Sequence, residues 1–318
     1  MMLKKIYLSF LLLLFIGLFW FVLRVPIFTS TPHSAGSYEE ALQKFSSIQQ
    51  HEATLSLSPE GHSRLMVHKT KTERVFVLLH GLSSCPEQFA SFGKILFEHG
   101  SNVVILRAHD AGYANIFNKE QNQQSGQDLI NQAAESVDIA TGLGKKITII
   151  GLSAGTLGAA WMAEHHEGID QVLLIAPFFG AYGWPPPALD IATAFLIYLP
   201  NFYIWKKNDS KKLRYAYPGY GSQCLAKTLQ LSRSVRSFKG SLLVKELDIL
   251  FSDADVVVNN QLTKQTTQQW MTQNPGKVSE YEFPASLNIA HDCIDPNNDN
   301  SKTKLSYPVI LKILHYTE

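Results

Sequence analysis

The chain predicts an α/β fold: a mostly parallel sheet flanked by helices on both faces, with a helical insertion over one end. Three observations lead there. Short runs rich in Val, Ile and Leu recur along the chain and alternate with segments of helical length. Those runs are apolar throughout, as strands buried on both faces are, and do not alternate with polar residues. The 318 residues, 45% hydrophobic and 17% charged, suit one large domain with a sizeable core. A formal net charge of +1 without long like-charge runs argues against a nucleic-acid partner. Three cysteines (Cys85, Cys224, Cys293) are too few for a disulfide scaffold and lack metal-site spacing, so no metal and no cofactor is expected.

The N-terminus stands apart. Met1–Lys5 carries two lysines, and Ile6–Leu23 is uncharged and rich in Leu and Phe. At 1.5 Å per residue that apolar run extends roughly 27 Å, close to the hydrocarbon thickness of a bilayer. Arg24, Pro26, Ile27 and Phe28 follow, and small residues fit for cleavage come only near Ser34–Gly36. Residues 1–28 are therefore expected to be an uncleaved transmembrane anchor in preference to a removed signal sequence. Lys4 and Lys5 against Arg24 favour a cytoplasmic N-terminus and a single-pass protein with its main domain on the extracytoplasmic side. Were the segment cleaved, that domain would be periplasmic or secreted.

Thr29–Gly36 reads as a linker, and residues 37–318 as the folded domain. Ser37 followed by Glu40 is a capping box opening a helix with Tyr38, Leu42, Phe45 and Ile48 on one face. "SRLMVHK" and "RVFVLLHG" read as strands separated by the polar Thr70–Glu73 turn. Pro86 suits a first helical position, and "EQFASFGKILFEHG" continues as a helix closed by Gly100. "NVVILRA" is a buried strand, Ser125–Thr141 a helix, Ile147–Ile150 a strand, then a helix, then the strand "QVLLIAP". The rhythm breaks over about 177–239, where "GWPPPALD", "ATAFLIYLPNFYIW" and "YAYPGYGS" are too aromatic for a disordered connection. That stretch is expected to be a mostly helical insertion. "LDILFS", a helix over about 260–273, the strand "VSEYEF" and a last helix around Val309–His315 complete the pattern.

Within "KKITIIGLSAGTLGAAWMAEHH", Gly151 and Gly155 lack side chains where a strand-to-helix turn brings two backbones together. Ser153 then stands at the apex, as a nucleophile does in such an elbow. A serine hydroxyl needs a base, and the base a carboxylate. His291, in a loop after the strand ending near Phe283, is the expected base; His315 falls on the terminal helix. Asp255, at the exit of the "LDILFS" strand, is preferred over Asp253 as the acid. The backbone N–H groups of Leu82 and Ala154 are the expected oxyanion donors, with Gly81 letting the first loop approach closely. Cys85 and Cys293 both fall near these loops and are expected close enough to bridge in an oxidising compartment.

"LLHGLSSCPEQF", "GLSAG", "SDADVVV" and "IAHD" occur together, in an order and spacing that resemble the α/β-hydrolases of the lipase/esterase branch, which includes monoacylglycerol lipases and small carboxylesterases. The resemblance spans about 75–292. It implies a serine hydrolase acting on ester or lipid substrates through an acyl-enzyme, with the 177–239 insertion as a helical cap. The aromatic residues of that cap would either line an apolar acyl pocket or pack as the core of the lid. An amidase or peptidase on the same scaffold, or a non-catalytic binding module, are the alternatives. One departure is His109-Asp110-Ala111-Gly112, where the family commonly has Gly-His-Gly.

Overall fold

The structure is a computed structural model that describes residues 24–117, 123–206, 215–298 and 300–316. The anchor expected over Ile6–Leu23 lies outside the described residues. Among the described residues no helix is long and apolar enough to cross a membrane.

In chain order the main elements are α1 (Tyr38–Glu52), β1 (Arg64–Met66), β2 (Thr72–Leu79), α2 (Ala90–Glu98), β3 (Asn102–Ile105), α3 (Gly126–Leu143), β4 (Gly144–Leu152), α4 (Gly155–His165) and β5 (Gln171–Ile175). The insertion contributes α5 (Pro186–Leu196), β6 (Tyr203–Trp205), β7 (Gly219–Gly221) and α6 (Ser222–Ser237). Then follow β8 (Glu246–Ser252), α7 (Asn260–Gln273), β9 (Val278–Phe283) and α8 (Thr303–Ile313). The main sheet has seven strands in the order β1-β3-β2-β4-β5-β8-β9. Its β1–β3 pair is antiparallel, and the others are parallel.

Strand alternation divides the core. Along β2, Val75, Val77 and Leu79 face one side, packing with Leu129 and Val137 of α3, Leu157 of α4 and Trp270 of α7. Phe76 and Leu78 face the other, with Phe92 and Leu96 of α2 and Ile310 and Ile313 of α8. Both faces are covered, which is why the strands read as unbroken apolar runs.

Several boundaries differ from expectation for physical reasons. Thr29–Gly36 has no regular structure, as a linker should, yet it is tied down. His33 N–H donates to the Asp138 carboxylate at 2.9 Å, and Ala35 N–H to the Asp138 carbonyl at 2.9 Å. The last helix, expected around Val309–His315, starts earlier: α8 begins at Thr303 and includes Pro308. The turn before it is held by Ser306 Oγ and Tyr307 Oη, which donate to the Cys293 and Ile294 carbonyls at 2.6 Å each. Within the insertion, "ATAFLIYLPNFYIW" is only partly helical. Its "YIW" end is β6, which pairs antiparallel with β7. The insertion reaches the carboxyl ends of the main strands: Tyr217 N–H donates to the Ser83 carbonyl at 2.9 Å and Tyr182 N–H to the Val257 carbonyl at 3.0 Å. Of its aromatic residues, Phe178 and Phe179 join the core, while Tyr182, Trp184, Phe195, Tyr198, Phe202 and Trp205 are exposed.

One core residue carries an unusual burden. Glu164, near the end of α4, is buried, and neither carboxylate oxygen has a hydrogen-bond partner among the described residues. His165 Nδ1 lies 3.8 Å away but is engaged on the Trp161 carbonyl. Burial pushes the Glu164 carboxyl well above its ordinary value, against a lesser opposing influence from the Trp270 indole. A folded-state pKa raised in this way contributes stability that is fully present below the unfolded value of about 4.3 and is lost as pH rises through the folded value. Glu164→Gln is therefore expected to unfold at a higher temperature than wild type above neutral pH, with the gap closing toward pH 4. Melting curves across pH 4–9 that stay parallel would contradict this.

Candidate active site

The loops following β2, β4, β8 and β9 meet at the carboxyl end of the sheet, where parallel α/β sheets present their ligands. At the end of β4, Ser153 has φ +56, a left-handed backbone that serine seldom adopts. The turn is held by Ser153 N–H, which donates to the Ile175 carbonyl of β5 at 3.0 Å, and by Thr156 N–H, which donates to the Ser153 carbonyl at 3.0 Å. Its flanking glycines are obligatory by space. A Cβ on Gly151 would stand 2.6 Å from the Gly155 carbonyl oxygen, and one on Gly155 would collide with the Leu79 carbonyl and stand 2.8 Å from that of His80. Gly155→Ala is expected to cost about 3 kcal/mol of stability through this collision. Urea denaturation measures it, and a cost below about 1 kcal/mol would mean the turn has room to give.

Asp255, buried beyond β8, accepts from His291 Nδ1 at 2.7 Å. Its other oxygen accepts from the N–H groups of Val257 at 2.7 Å and Val258 at 3.3 Å. Burial pushes the Asp255 carboxyl up, but positive charge on His291, the hydrogen bond to it and the two N–H donors together hold it below its ordinary value. Asp253 instead sits at the surface beside Lys264, 3.4 Å away, and His315 meets Glu246 at 3.0 Å. Among the described residues neither Ser153 Oγ nor His291 Nε2 has a hydrogen-bond partner.

The loop after β2 lies against the serine: a Cβ on Gly81 would be 3.4 Å from that of Ser153. The Gly81 carbonyl accepts from His80 Nδ1 at 3.0 Å and from Ser84 N–H at 3.1 Å. In a trans peptide the next N–H, that of Leu82, points the opposite way. Among the described residues the N–H groups of Leu82 and Ala154 have no acceptor. His80 Nε2 accepts from Ala108 N–H at 3.0 Å, and burial pushes this imidazole down to about 4, so it is neutral and its tautomer is fixed.

One residue that sequence reasoning missed adjoins these loops. Gln88 accepts from Gly81 N–H through Oε1 and donates to Asp292 Oδ2 through Nε2, each at 2.8 Å. Its signal in the sequence was faint: a polar residue at the start of a helix, between Glu87 and Phe89. The expected Cys85–Cys293 bridge is overturned, since both are free, buried thiols. Cys85 Sγ donates to the Glu60 carbonyl at 3.4 Å, whereas Cys293 packs into the core face formed by Ile289, Ile294 and Ile310. Burial pushes Cys85 up to about 12 and Cys293 higher, so neither is a reactive thiolate.

No family model matches the chain, and no curated protein matches it in sequence. Solved structures do match in fold. A structure from work on the metagenome-derived lipolytic enzymes LipS and LipT shares 14% identity at a TM-score of 0.60, covering 81% of this chain and 100% of its own. A monoacylglycerol lipase from Paleococcus ferrophilus shares 13% at 0.60, covering 80% and 99%. A soluble variant of monoglyceride lipase from Saccharomyces cerevisiae shares 12% at 0.58, covering 80% and 92%. At such identities the likeness is one of fold: the chain has the α/β-hydrolase fold.

Proposed function

We propose that this α/β-hydrolase-fold chain is a serine hydrolase that cleaves carboxylic esters, lipid acyl esters above all. The observation that carries the reading is Ser153 at the apex of a left-handed turn, among loops that also supply the His291–Asp255 pair. In the proposed reaction, Ser153 Oγ attacks the ester carbonyl carbon while His291 Nε2 takes its proton. Asp255 holds the imidazole's tautomer and offsets the charge that develops on it. The N–H groups of Leu82 and Ala154 receive the oxyanion. Collapse expels the alcohol, protonated by His291, and leaves an acyl-enzyme. Water, deprotonated by the same histidine, then releases the acid and restores the serine.

Residues 177–239 form the cap in this reading. Its exposed aromatic side chains suit an acyl chain or a lipid surface better than a peptide. The lipase neighbours support the same substrate class. Residues 1–28 tether the enzyme to a membrane, with the domain on the extracytoplasmic side. Full-length protein is expected in the membrane fraction after a high-salt wash, because apolar insertion is not screened by salt. Release by the wash would remove the anchor from the reading.

The decisive experiment is labelling by a fluorophosphonate probe with the adduct mapped by mass spectrometry, followed by a substrate panel. Modification of Ser153, with nitrophenyl butyrate and monoacylglycerol cleaved faster than peptides, is expected. An unmodified Ser153 would defeat the reading, and faster peptide cleavage would turn it to a peptidase.

A further inference from the structure

We infer that Gln88 is a positioning residue that couples the loop carrying the Leu82 N–H to the loop carrying His291, through the two ends of one amide. The inference rests on the serine-hydrolase reading above.

Gln88 is only 6% exposed, and both ends of its amide are used. Gly81 N–H requires an acceptor and the Asp292 carboxylate requires a donor, so only one amide orientation satisfies both. The Gly81 side of this link ends at the proposed oxyanion donor. With its carbonyl fixed by His80 and Ser84, Gly81 is held at both its N–H and its C=O, and the direction of the Leu82 N–H follows. The Asp292 side ends at the base. Asp292 directly follows His291, and its second oxygen accepts from the N–H groups of Ile294 and Asp295, each at 3.1 Å. Asp292 thus folds its own loop while Gln88 fixes that loop against the one after β2.

The consequence is a shared geometry. An oxyanion donor and a general base must both sit within hydrogen-bonding reach of one tetrahedral centre. Loss of the amide lets the two loops shift independently, and misplacement of about 1 Å can cost as much as 10²-fold in rate. In the proposed reading substrate binding falls to the cap, to which the Gln88 amide makes no hydrogen bond among the described residues. The effect therefore falls on kcat and leaves KM nearly unchanged.

The test uses full-length protein with nitrophenyl butyrate, each kcat normalised to sites titrated by a fluorophosphonate. Gln88→Met keeps the volume and removes both hydrogen bonds; kcat is expected to fall about 10- to 100-fold with KM within about threefold. Gln88→Glu sets two carboxylates against each other, and Asp292→Asn sets two amide donors against each other. Each is expected to lose at least about tenfold in kcat. The double variant Gln88→Glu/Asp292→Asn restores one acceptor facing one donor with the direction reversed. It is expected to recover to within about threefold of wild type.

A purely structural role would move the melting temperature of the single variants but not kcat per titrated site. That outcome, or a double variant no better than the worse single, overturns the inference. If Gln88→Met fails to fold, the near-isosteric exchange decides alone. Should wild type itself be neither labelled nor active, the reading of the site fails and the inference with it. An active wild type with an indifferent Gln88→Met defeats the inference only.

Discussion

Ser153→Ala is expected to lower kcat for ester hydrolysis on the order of 10⁶-fold, with the fold intact. The magnitude follows from what the hydroxyl does in the proposed reaction: without it there is no acyl-enzyme. Binding and the two N–H donors remain, so residual activity over uncatalysed hydrolysis survives. Stability should change little, because Ser153 Oγ makes no hydrogen bond with the described residues and the side chain is only partly buried. The check is steady-state hydrolysis by the purified variant beside its thermal melt. Activity within tenfold of wild type in a folded variant would remove Ser153 from the role.

The second large effect falls on the carboxylate. Asp255→Asn is expected to reduce kcat on the order of 10⁴-fold. An amide in place of the carboxylate favours the wrong histidine tautomer and leaves the imidazolium without its counter-charge. The 2.7 Å contact from His291 Nδ1, held on a carboxyl already fixed by two backbone donors, makes that substitution nearly isosteric and the loss electrostatic. Asp253→Asn, two residues away but paired at the surface with Lys264, is expected to change kcat less than about threefold. Parallel measurement of both variants ranks them, and a reversed ranking would reassign the acid.

How much of this was legible in the sequence depended on whether the cause was local. The strands β2, β4, β5 and β8 announced themselves because burial on both faces demands unbroken apolar runs. The serine turn was readable because the close approach of Gly151 and Gly155 can be met only by residues without side chains. The start of α8 was placed too late because its first turn is held by Ser306 and Tyr307, whose bonds reach back to Cys293 and Ile294 and leave no local pattern. The β6–β7 pair was hidden because each strand is only three residues long, too short for a period to show. Gln88 left only a faint local mark, since one of its two partners, Asp292, lies far along the chain. The cysteine bridge failed for a related reason. Cys85 is engaged on the Glu60 carbonyl and Cys293 packs against Ile289 and Ile294, so two nearby loops did not bring the sulfurs together.

The order in which the site's parts occur along the chain bears on how the protein is made. Gly81 and Leu82 emerge from the ribosome early and Ser153 midway, but His291 comes only after β9, the last strand in the chain. Until then β8 is an unsatisfied parallel edge with apolar side chains on both faces, a surface prone to misassociation. Parallel pairing also closes long loops before it gains contacts, which makes it slow. A piece of the chain ending before His291 lacks the proposed base and is expected to keep no more than the residual activity that loss of one triad member leaves. On refolding from denaturant, esterase activity should therefore return with the slowest tertiary phase. Activity that returned ahead of it would mean that the serine and the histidine find each other without the sheet between them.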